Sequence, residues 1–310
     1  MTSRLNHYEK MIIGIFSVRN HRYHPNRRLI EAADRLNHHA VLINPKKLYM
    51  GMDGDGLRID TLLGGFNVDV IVPRLGSSIK EYGLSMVRQF ELLGIPVVNP
   101  FASILLAKNK FLTLQTLSRH GIPVIDSRYA SNWSNFEKAV AGLGGLPLVL
   151  KALNSRQGQG VFLMQSIDGS RSLLDSLLNT GEGVLIQKFI PPGGRKDIRA
   201  FVVGKKVVGA MSLVPKRDDF RANIHLKAKG TGLRLSKEGC ALALASTRCL
   251  GLDISGVDMI EETNGPLRIV EVNYAPGFKG LEQSTGRDIA AEIIKYAVKA
   301  HGRAACRSPF

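Results

Sequence analysis

The sequence contains little cysteine and no long apolar run. Its three cysteines, Cys240, Cys249 and Cys306, are odd in number and form no CxxC pair, which argues against a disulfide framework and a zinc knuckle. The apolar run 11–16 is too short for a secretory signal or a membrane span, and no other stretch approaches the length that a bilayer requires. We therefore expect a soluble, cytoplasmic protein with no membrane partner.

Acidic residues are also scarce. The chain has 26 Asp and Glu against 42 Lys and Arg, a formal net charge of +16. This charge attracts nucleic acid, anionic lipid or acidic peptides, and charge alone does not choose among them. Basic clusters lie at 19–28 and 303–307, but neither is interleaved with aromatic residues as in a single-strand-binding surface. The two clusters are explained by a solvent-exposed face and a frayed C-terminal tail. No specific nucleic-acid partner is therefore expected.

The first hundred residues show strand and helix periodicity in alternation. At 310 residues and 44% hydrophobic composition, the chain buries a substantial core and divides into two or three modules. Two strand–helix–strand cycles are predicted. The first comprises strand 12–18, helix 25–39 and strand 40–44, and the second comprises strand 68–73, helix 79–93 and strand 96–99. This alternation indicates a parallel sheet covered by helices, hence a small α/β domain. No GxGxxG follows its first strand, so a Rossmann dinucleotide site is not expected.

The remainder is more typical of α+β structure. A helix is predicted at 102–121, closed by Gly121, and a module boundary near residue 100 fits this pattern. Further helices are predicted at 170–178 and 236–250. Strands are predicted at 147–151, 160–165, 184–190, 199–203, 206–213, 256–260 and 267–272.

A predicted hairpin near the C-terminus carries the clearest chemical signal. Strand periodicity puts Glu271 and Asn273 on one face, and the turn 263–266 lets the preceding strand bring Asp258 close to Glu271. Two carboxylates and an amide are oxygen ligands suited to Mg²⁺ held jointly with phosphate. Taken alone, polar residues on the solvent face of an edge hairpin explain the pattern about equally well.

Two further signals are weaker. Lys151 ends an apolar strand and is followed by a loop with Gly158 and Gly160, whose backbone amides can approach phosphates. The loop lacks a Walker A sequence, so a flap over a nucleotide is favoured. Taken alone, however, a glycine-containing hairpin usually has no nucleotide-binding role. Arg199 and Arg221 suit bidentate capture of phosphate or carboxylate, while a surface ion pair explains either one singly.

Together, these segments occur in an order that resembles an ATP-grasp ligase, most closely a RimK-type α-L-glutamate ligase, over residues 11–298. The segments that carry the resemblance are Lys110, Lys151 with its flap, Gln187–Ile190, Asp197–Arg199, Phe220–Asn223, Asp258, Glu271–Gly277, Pro73–Gly76, Tyr82–Gly83, Arg88–Gly94 and Gly280–Ala290. The resemblance implies an N-terminal pre-ATP-grasp α/β domain at 11–100, ATP-grasp lobes at 101–186 and 187–300, and tails at 1–10 and 301–310.

The resemblance also implies roles for single residues. The nucleotide-binding set would be Lys110, Lys151, Gly158, Gly160, Lys188, Phe189, Asp197, Arg221 and Asn223. Arg199 and Arg221 would serve catalysis by offsetting charge on the transferred phosphoryl group. Asp258, Glu271 and Asn273 would hold two Mg²⁺ or Mn²⁺ ions. Lys188 stands where such ligases commonly carry an acid, so backbone groups would contact the base there.

The implied reaction joins an acceptor carboxylate to the amine of L-glutamate through an acylphosphate, at the expense of ATP. Acceptors in the family range from a ribosomal-protein C-terminus to poly-glutamate and small molecules, and fold does not separate them. The positive charge favours an acceptor or product that accumulates glutamate carboxylates. A homo-oligomer is what the family suggests. The alternatives are a ligase for another amino acid or a small acceptor, and a non-catalytic, basic nucleic-acid-binding protein on the same scaffold.

Overall fold

The computed structural model describes residues 10–61, 66–76, 80–153, 160–215, 221, 229–263 and 265–305. Within these ranges no helix is long and apolar enough to span a membrane. The chain divides into two compact units. Unit 1 contains the described residues up to Phe101 together with Gly277–Lys279 and those from Asp288 onward, and unit 2 contains the described residues of 102–276 and 280–287.

Unit 1 is built on a three-stranded parallel sheet. Its strands are β1 (Ile12–Phe16), β2 (His39–Ile43) and β5 (Val70–Pro73), in the order β2-β1-β5. Strand β1 is central and almost completely buried, which explains its continuous apolar sequence. A Cβ at Gly14 would lie 2.6 Å from Cδ1 of Ile43 and 2.7 Å from Cδ1 of Ile71, so glycine makes room for the neighbouring strands' side chains.

Helices α1 (His24–Arg35), α2 (Glu81–Leu92) and α9 (Ile289–Ala305) complete the main body of unit 1. Helix α1 buries Leu29, Ala32 and Ala33. Helix α9 packs against α1 and β5. Asp288 accepts a hydrogen bond from the backbone N–H of Ala291 and pairs with Arg28 and Arg35. One carboxylate thus satisfies a free amide at the start of α9 and ties that helix to α1.

A hairpin that was not predicted from the sequence also belongs to unit 1. Strands β3 (Leu48–Asp53) and β4 (Gly56–Thr61) form a two-stranded antiparallel sheet. The side-chain amide of Gln89 in α2 donates to the carbonyls of Gly51 and Arg58, and the Tyr82 hydroxyl donates to that of Leu48. Such isolated hairpins are marginal alone, so contact with α2 is what stabilises this one.

Unit 2 contains two antiparallel sheets. The four-stranded sheet, in the order β6-β9-β7-β8, comprises β6 (Ser127–Ala130), β7 (Leu148–Ala152), β8 (Val161–Met164) and β9 (Val184–Lys188). The five-stranded sheet, in the order β12-β11-β10-β13-β14, comprises β10 (Arg195–Val203), β11 (Lys206–Val214), β12 (Lys229–Gly232), β13 (Ile254–Glu262) and β14 (Leu267–Asn273). Antiparallel pairing confirms the α+β expectation.

The helices of unit 2 cover these sheets. They are α3 (Phe101–Lys108), α4 (Lys110–Arg119), α5 (Trp133–Gly142), α6 (Arg171–Leu178), α7 (Lys237–Cys249) and α8 (Lys279–Thr285). Short 3-10 turns lie at Pro45–Lys47 in unit 1 and at Asp168–Ser170 and Pro192–Gly194 in unit 2. Side chains of Ile198, Ala200 and Val257 pack on one face of the five-stranded sheet in the same core cluster as Ala243 of α7. Burying that face leaves the opposite face of β10 and β13 for polar residues.

Two sequence predictions were wrong in detail. The single helix predicted at 102–121 is two helices, because the side chain of Asn109 accepts hydrogen bonds from the backbone N–H groups of Phe111 and Leu112 and starts a new helix. The strand predicted at 96–99 is only an isolated parallel bridge between Ile71 and Val97. A helix pattern with an internal N-cap residue does not distinguish one helix from two.

Candidate active site

The polar face of the five-stranded sheet carries a row of three charged side chains. Asp258 of β13 lies in register with Arg199 of β10 on one side and with Glu271 of β14 on the other. Residues directly opposite each other in antiparallel strands point to the same face. The predicted hairpin and the proximity of Asp258 to Glu271 are thus confirmed, and β14 lies at the edge of the sheet.

Asn273 joins this row because it follows Glu271 by two residues on β14 and so points to the same face of the sheet. It lies opposite Gly256, where an added Cβ would come within 2.7 Å of the Cβ of Pro276. The amide nitrogen of Asn273 donates to Oδ2 of Asp258 at 3.2 Å. Glycine at position 256 therefore makes room for the turn that follows the three predicted metal ligands.

Arg199 and Asp258 form a bidentate ion pair. Nε of Arg199 lies 2.6 Å from Oδ1 of Asp258, and Nη2 lies 2.5 Å from Oδ2. The two side chains are only 13% and 20% exposed. Burial lowers the pKa of Arg199, but the carboxylates of Asp258 and Glu271 together more than compensate, so the pKa is raised. The guanidinium is therefore held in one orientation by a charged, two-point contact.

Lysines face Glu271. Nζ of Lys110, the first residue of α4, lies 3.6 Å from Oε1 of Glu271. Burial raises the pKa of Glu271, while Lys110, Lys151 and Arg199 lower it further than burial raises it, so the carboxyl is ionised at neutral pH. Lys151 is itself buried, which lowers its pKa to about 8 despite the opposing influence of Glu271. Lys151 of the four-stranded sheet and Lys110 of α4 thus place positive charge next to this row.

Arg195 is a site residue that the sequence analysis missed. Its Nε lies 2.9 Å from Oδ2 of Asp197, and it also donates to the carbonyl of Ile190. Burial raises the pKa of Asp197, and Arg195 opposes that effect without cancelling it. Arg195, Asp197 and Arg199 alternate along β10 and share its polar face. That alternation is the signal that would have found Arg195.

The predicted metal ligands suit a divalent cation in their chemistry. Asp258 and Glu271 supply carboxylate oxygens, and Asn273 adds an amide oxygen to the set, while its amide nitrogen donates to Asp258. Hard oxygen donors of this kind fit Mg²⁺ or Mn²⁺. In the described part of the chain no cluster of three or more His, Cys, Asp and Glu side chains is placed to hold a metal, so two carboxylates and an amide are the set to test.

The other predicted nucleotide-binding residues belong to different segments of the chain. Gly160 is buried, and its carbonyl accepts a hydrogen bond from the N–H of Ala152 on the adjoining strand. Lys188 is exposed at the end of β9, and Phe189 follows it half-buried. Arg221 is half-buried. Gly158 and Asn223 lie outside the described residues.

Solved structures share this fold. The crystal structure of a RimK domain ATP-grasp protein from Sphaerobacter thermophilus matches with a TM-score of 0.71 at 24% identity, over 92% of this chain and 98% of that one. The ATP-grasp ligase PsnB, solved with minimal precursor, Mg and ADP, matches with a TM-score of 0.70 at 18% identity, over 94% and 97%. The chain therefore has the ATP-grasp fold, with an N-terminal pre-ATP-grasp domain.

The family follows from sequence comparison. Residues 107–297 match the RimK-like ATP-grasp domain and residues 11–104 the RimK PreATP-grasp domain. A protein from Syntrophotalea carbinolica named "Probable alpha-L-glutamate ligase" is 39% identical over 292 residues, which cover 93% of this chain and 96% of that protein. The chain belongs to the RimK-like ATP-grasp family and is an ATP-dependent ligase that forms C–N bonds.

Proposed function

We propose that this protein is a Mg-ATP-dependent ligase that adds L-glutamate to an acceptor carboxylate. The observation that carries the proposal is the row of Arg199, Asp258 and Glu271, with Lys110 and Lys151 close to Glu271. It combines carboxylates suited to metal with cations suited to phosphate. The name shared by the curated relatives supports glutamate as the added amino acid.

Lys110 and Lys151 bind the phosphates of ATP in this proposal. Because the pKa of Lys151 is about 8, most of it is protonated at neutral pH, and an arriving phosphate favours the charged form. Gly158 and Gly160 of the flap and Arg221 with Asn223 add further phosphate contacts. Lys188 and Phe189 at the end of β9 contact the base through backbone groups, and Asp197 lies at the nucleotide.

In this proposal Asp258, Glu271 and Asn273 would hold two Mg²⁺ or Mn²⁺ ions. When bound, these ions neutralise phosphate charge and orient the phosphate oxygens for in-line transfer. Arg199, which its ion pair with Asp258 holds in place, would donate hydrogen bonds toward the transferred phosphoryl group, as would Arg221. These residues act by position and charge rather than by covalent chemistry.

The reaction follows two balanced steps. An oxygen of the acceptor carboxylate attacks the γ-phosphorus of ATP, the bond to the β-phosphate oxygen breaks, and ADP leaves as an acylphosphate forms. The α-amine of glutamate then attacks the acyl carbon, phosphate leaves, and the amine loses its proton as the amide forms. The buried cations offset the charge that develops in the first step.

The acceptor is a chain that carries or accumulates carboxylates, such as an acidic protein C-terminus on a ribosomal protein or a poly-α-glutamate. A protein with 42 basic and 26 acidic residues attracts such a chain electrostatically. Residues 101–186 and 187–300 form the two lobes around the nucleotide in this proposal. We further propose a cytoplasmic location and a homo-oligomeric state.

Mass spectrometry of the products tests the proposal. Protein is incubated with Mg-ATP and glutamate, either alone or with a small-subunit ribosomal protein fraction. A ladder spaced by single glutamate residues is expected, and Glu271→Gln should yield none. ADP release stimulated only by another amino acid or a small acceptor would refute the assignment of glutamate while leaving the ligase class intact.

A further inference from the structure

The parallel sheet of unit 1 has a topological switch point between β1 and β5. The chain passes from central β1 to β2 on one side and later to β5 on the other. In open parallel sheets, ligands bind outside the carboxyl ends of the two strands at such a point. Strand β1 ends at Phe16 and β5 at Pro73, so Ser17 and Arg74 begin the loops at this edge.

Arg74 and Ser17 are adjacent there. Phe16 pairs with Pro73 in register, and the backbone N–H of Arg74 donates to the carbonyl of Phe16 at 2.7 Å. The Arg74 residue is only 8% exposed, and its guanidinium carbon lies 5.7 Å from the ring centre of Phe278. Arginine is seldom buried, because its charge is costly to desolvate, so a buried arginine is a candidate for a specific binding role.

The Arg74 side chain is nevertheless charged under physiological conditions. Burial lowers its pKa to about 10, and the nearby Tyr23 opposes this effect. A planar guanidinium held against a ring offers a rigid, two-point donor for a carboxylate. The ligand edge of unit 1 therefore contains a cation of the kind that recognises carboxylates.

Asn26 supplies a second polar group at this edge. Its side-chain amide donates to Oγ of Ser17 and to the carbonyls of Arg19 and Asn20, at 3.2, 2.9 and 3.1 Å. These bonds fix the loop after β1 and the orientation of the amide. Its buried Oδ1 has no hydrogen-bond partner in the part of the chain that the structure describes. A buried acceptor of this kind is costly unless a ligand N–H meets it.

The loop itself adds positive charge. Arg19 and Arg22 are exposed, and the sequence from residue 17 to residue 30 contains no Asp or Glu. A carboxylate-binding cation, an acceptor for an N–H group and a basic rim match a peptide with several carboxylates better than a single free amino acid.

We propose that the carboxyl ends of β1 and β5 form an acceptor-binding site, in which Arg74 binds a side-chain carboxylate of a glutamate-rich peptide. Asn26 Oδ1 accepts a hydrogen bond from the same peptide, and Arg19 and Arg22 attract it. The identity of the acceptor rests on the proposed function, whereas its binding to unit 1 is a separate property with its own measurement.

Calorimetry with tri-α-L-glutamate, in the absence of ATP, tests the site without requiring turnover. Wild-type protein should bind this peptide but not tri-glutamine, and Arg74→Gln should weaken binding about 10- to 100-fold, as for loss of a charge-assisted hydrogen bond. Arg88→Gln is a matched control, because the guanidinium carbon of Arg88 also lies 5.7 Å from a ring centre, that of Phe101, in the same unit. It should bind like wild type.

A second variant covers the case in which Arg74→Gln does not fold. The double variant Arg19→Gln and Arg22→Gln changes only exposed side chains and should bind the peptide more weakly, with a smaller salt dependence. Equal peptide affinity in wild type and folded Arg74→Gln would overturn the site. So would an Arg74→Gln variant that binds free glutamate more weakly but binds the peptide like wild type. Absence of ligase activity alongside normal peptide binding would instead refute the proposed function.

Discussion

The ion pair between Arg199 and Asp258 makes a quantitative prediction about stability. Asp258→Asn keeps the volume of the side chain but removes the negative charge that both Nε and Nη2 of Arg199 contact, at 2.6 and 2.5 Å. Because the side chains are only 13% and 20% exposed, the arginine is left largely desolvated without a counter-charge. Breaking such a pair costs about 3–5 kcal/mol, and we expect about 3 kcal/mol because the amide oxygen still accepts one hydrogen bond.

Urea unfolding of the protein without metal or nucleotide is the assay. The only tryptophan, Trp133, lies in unit 2 with the ion pair, so its fluorescence follows the relevant unit. Arg199→Gln and the double variant complete a double-mutant cycle, in which the double variant should lose less stability than the two single losses added together.

The control comes from the same two strands. Lys196 and Glu261 are also registered partners on β10 and β13, 3.8 Å apart, but their side chains are 47% and 50% exposed. Glu261→Gln should cost less than about 1 kcal/mol, as expected for a surface pair. If Asp258→Asn costs no more than this control, the bidentate pair does not contribute as a buried ion pair, and the reasoning is wrong.

Three further predictions concern the same unit. Glu271→Gln should abolish turnover and lower the unfolding midpoint less than Asp258→Asn does, because its contact with Lys110 is 3.6 Å long and partly exposed, and retained turnover would exclude it as a metal ligand. The affinity for ATP should fall as pH rises through about 8, where Lys151 loses its charge, and Lys151→Arg should bind ATP equally at pH 7 and pH 9, a comparison made by calorimetry. Asn109→Ala should lower stability by about 1 kcal/mol in urea unfolding, since it removes the cap of the helix that begins with Lys110, and no loss would show that the cap contributes nothing.

Much of the fold was predictable because it depends on local pattern. The buried strands β1 and β5 are continuous apolar runs, and the helices α1 and α2 have one apolar face, so periodicity alone located them within a few residues. The hairpin of β13 and β14 followed from a turn flanked by two alternating strands.

Elements that depend on distant contacts were not predictable in this way. The β3 and β4 hairpin exposes Tyr49 and Met52 and is stabilised by side chains of α2 that are far away in sequence. The break at Asn109 depends on whether one side chain bonds to the backbone ahead of it, which composition does not reveal.

The site shows the same division. Strand periodicity determined that Glu271 and Asn273 share a face, and a turn between two strands determined that Asp258 lies near them. Only the tertiary structure decided that Arg199 pairs with Asp258, that Lys110 reaches Glu271 from helix α4, and that burial shifts the pKa of Lys151. Periodicity acts along one strand, whereas register across strands, burial and electrostatics arise from segments that meet only when the chain is folded.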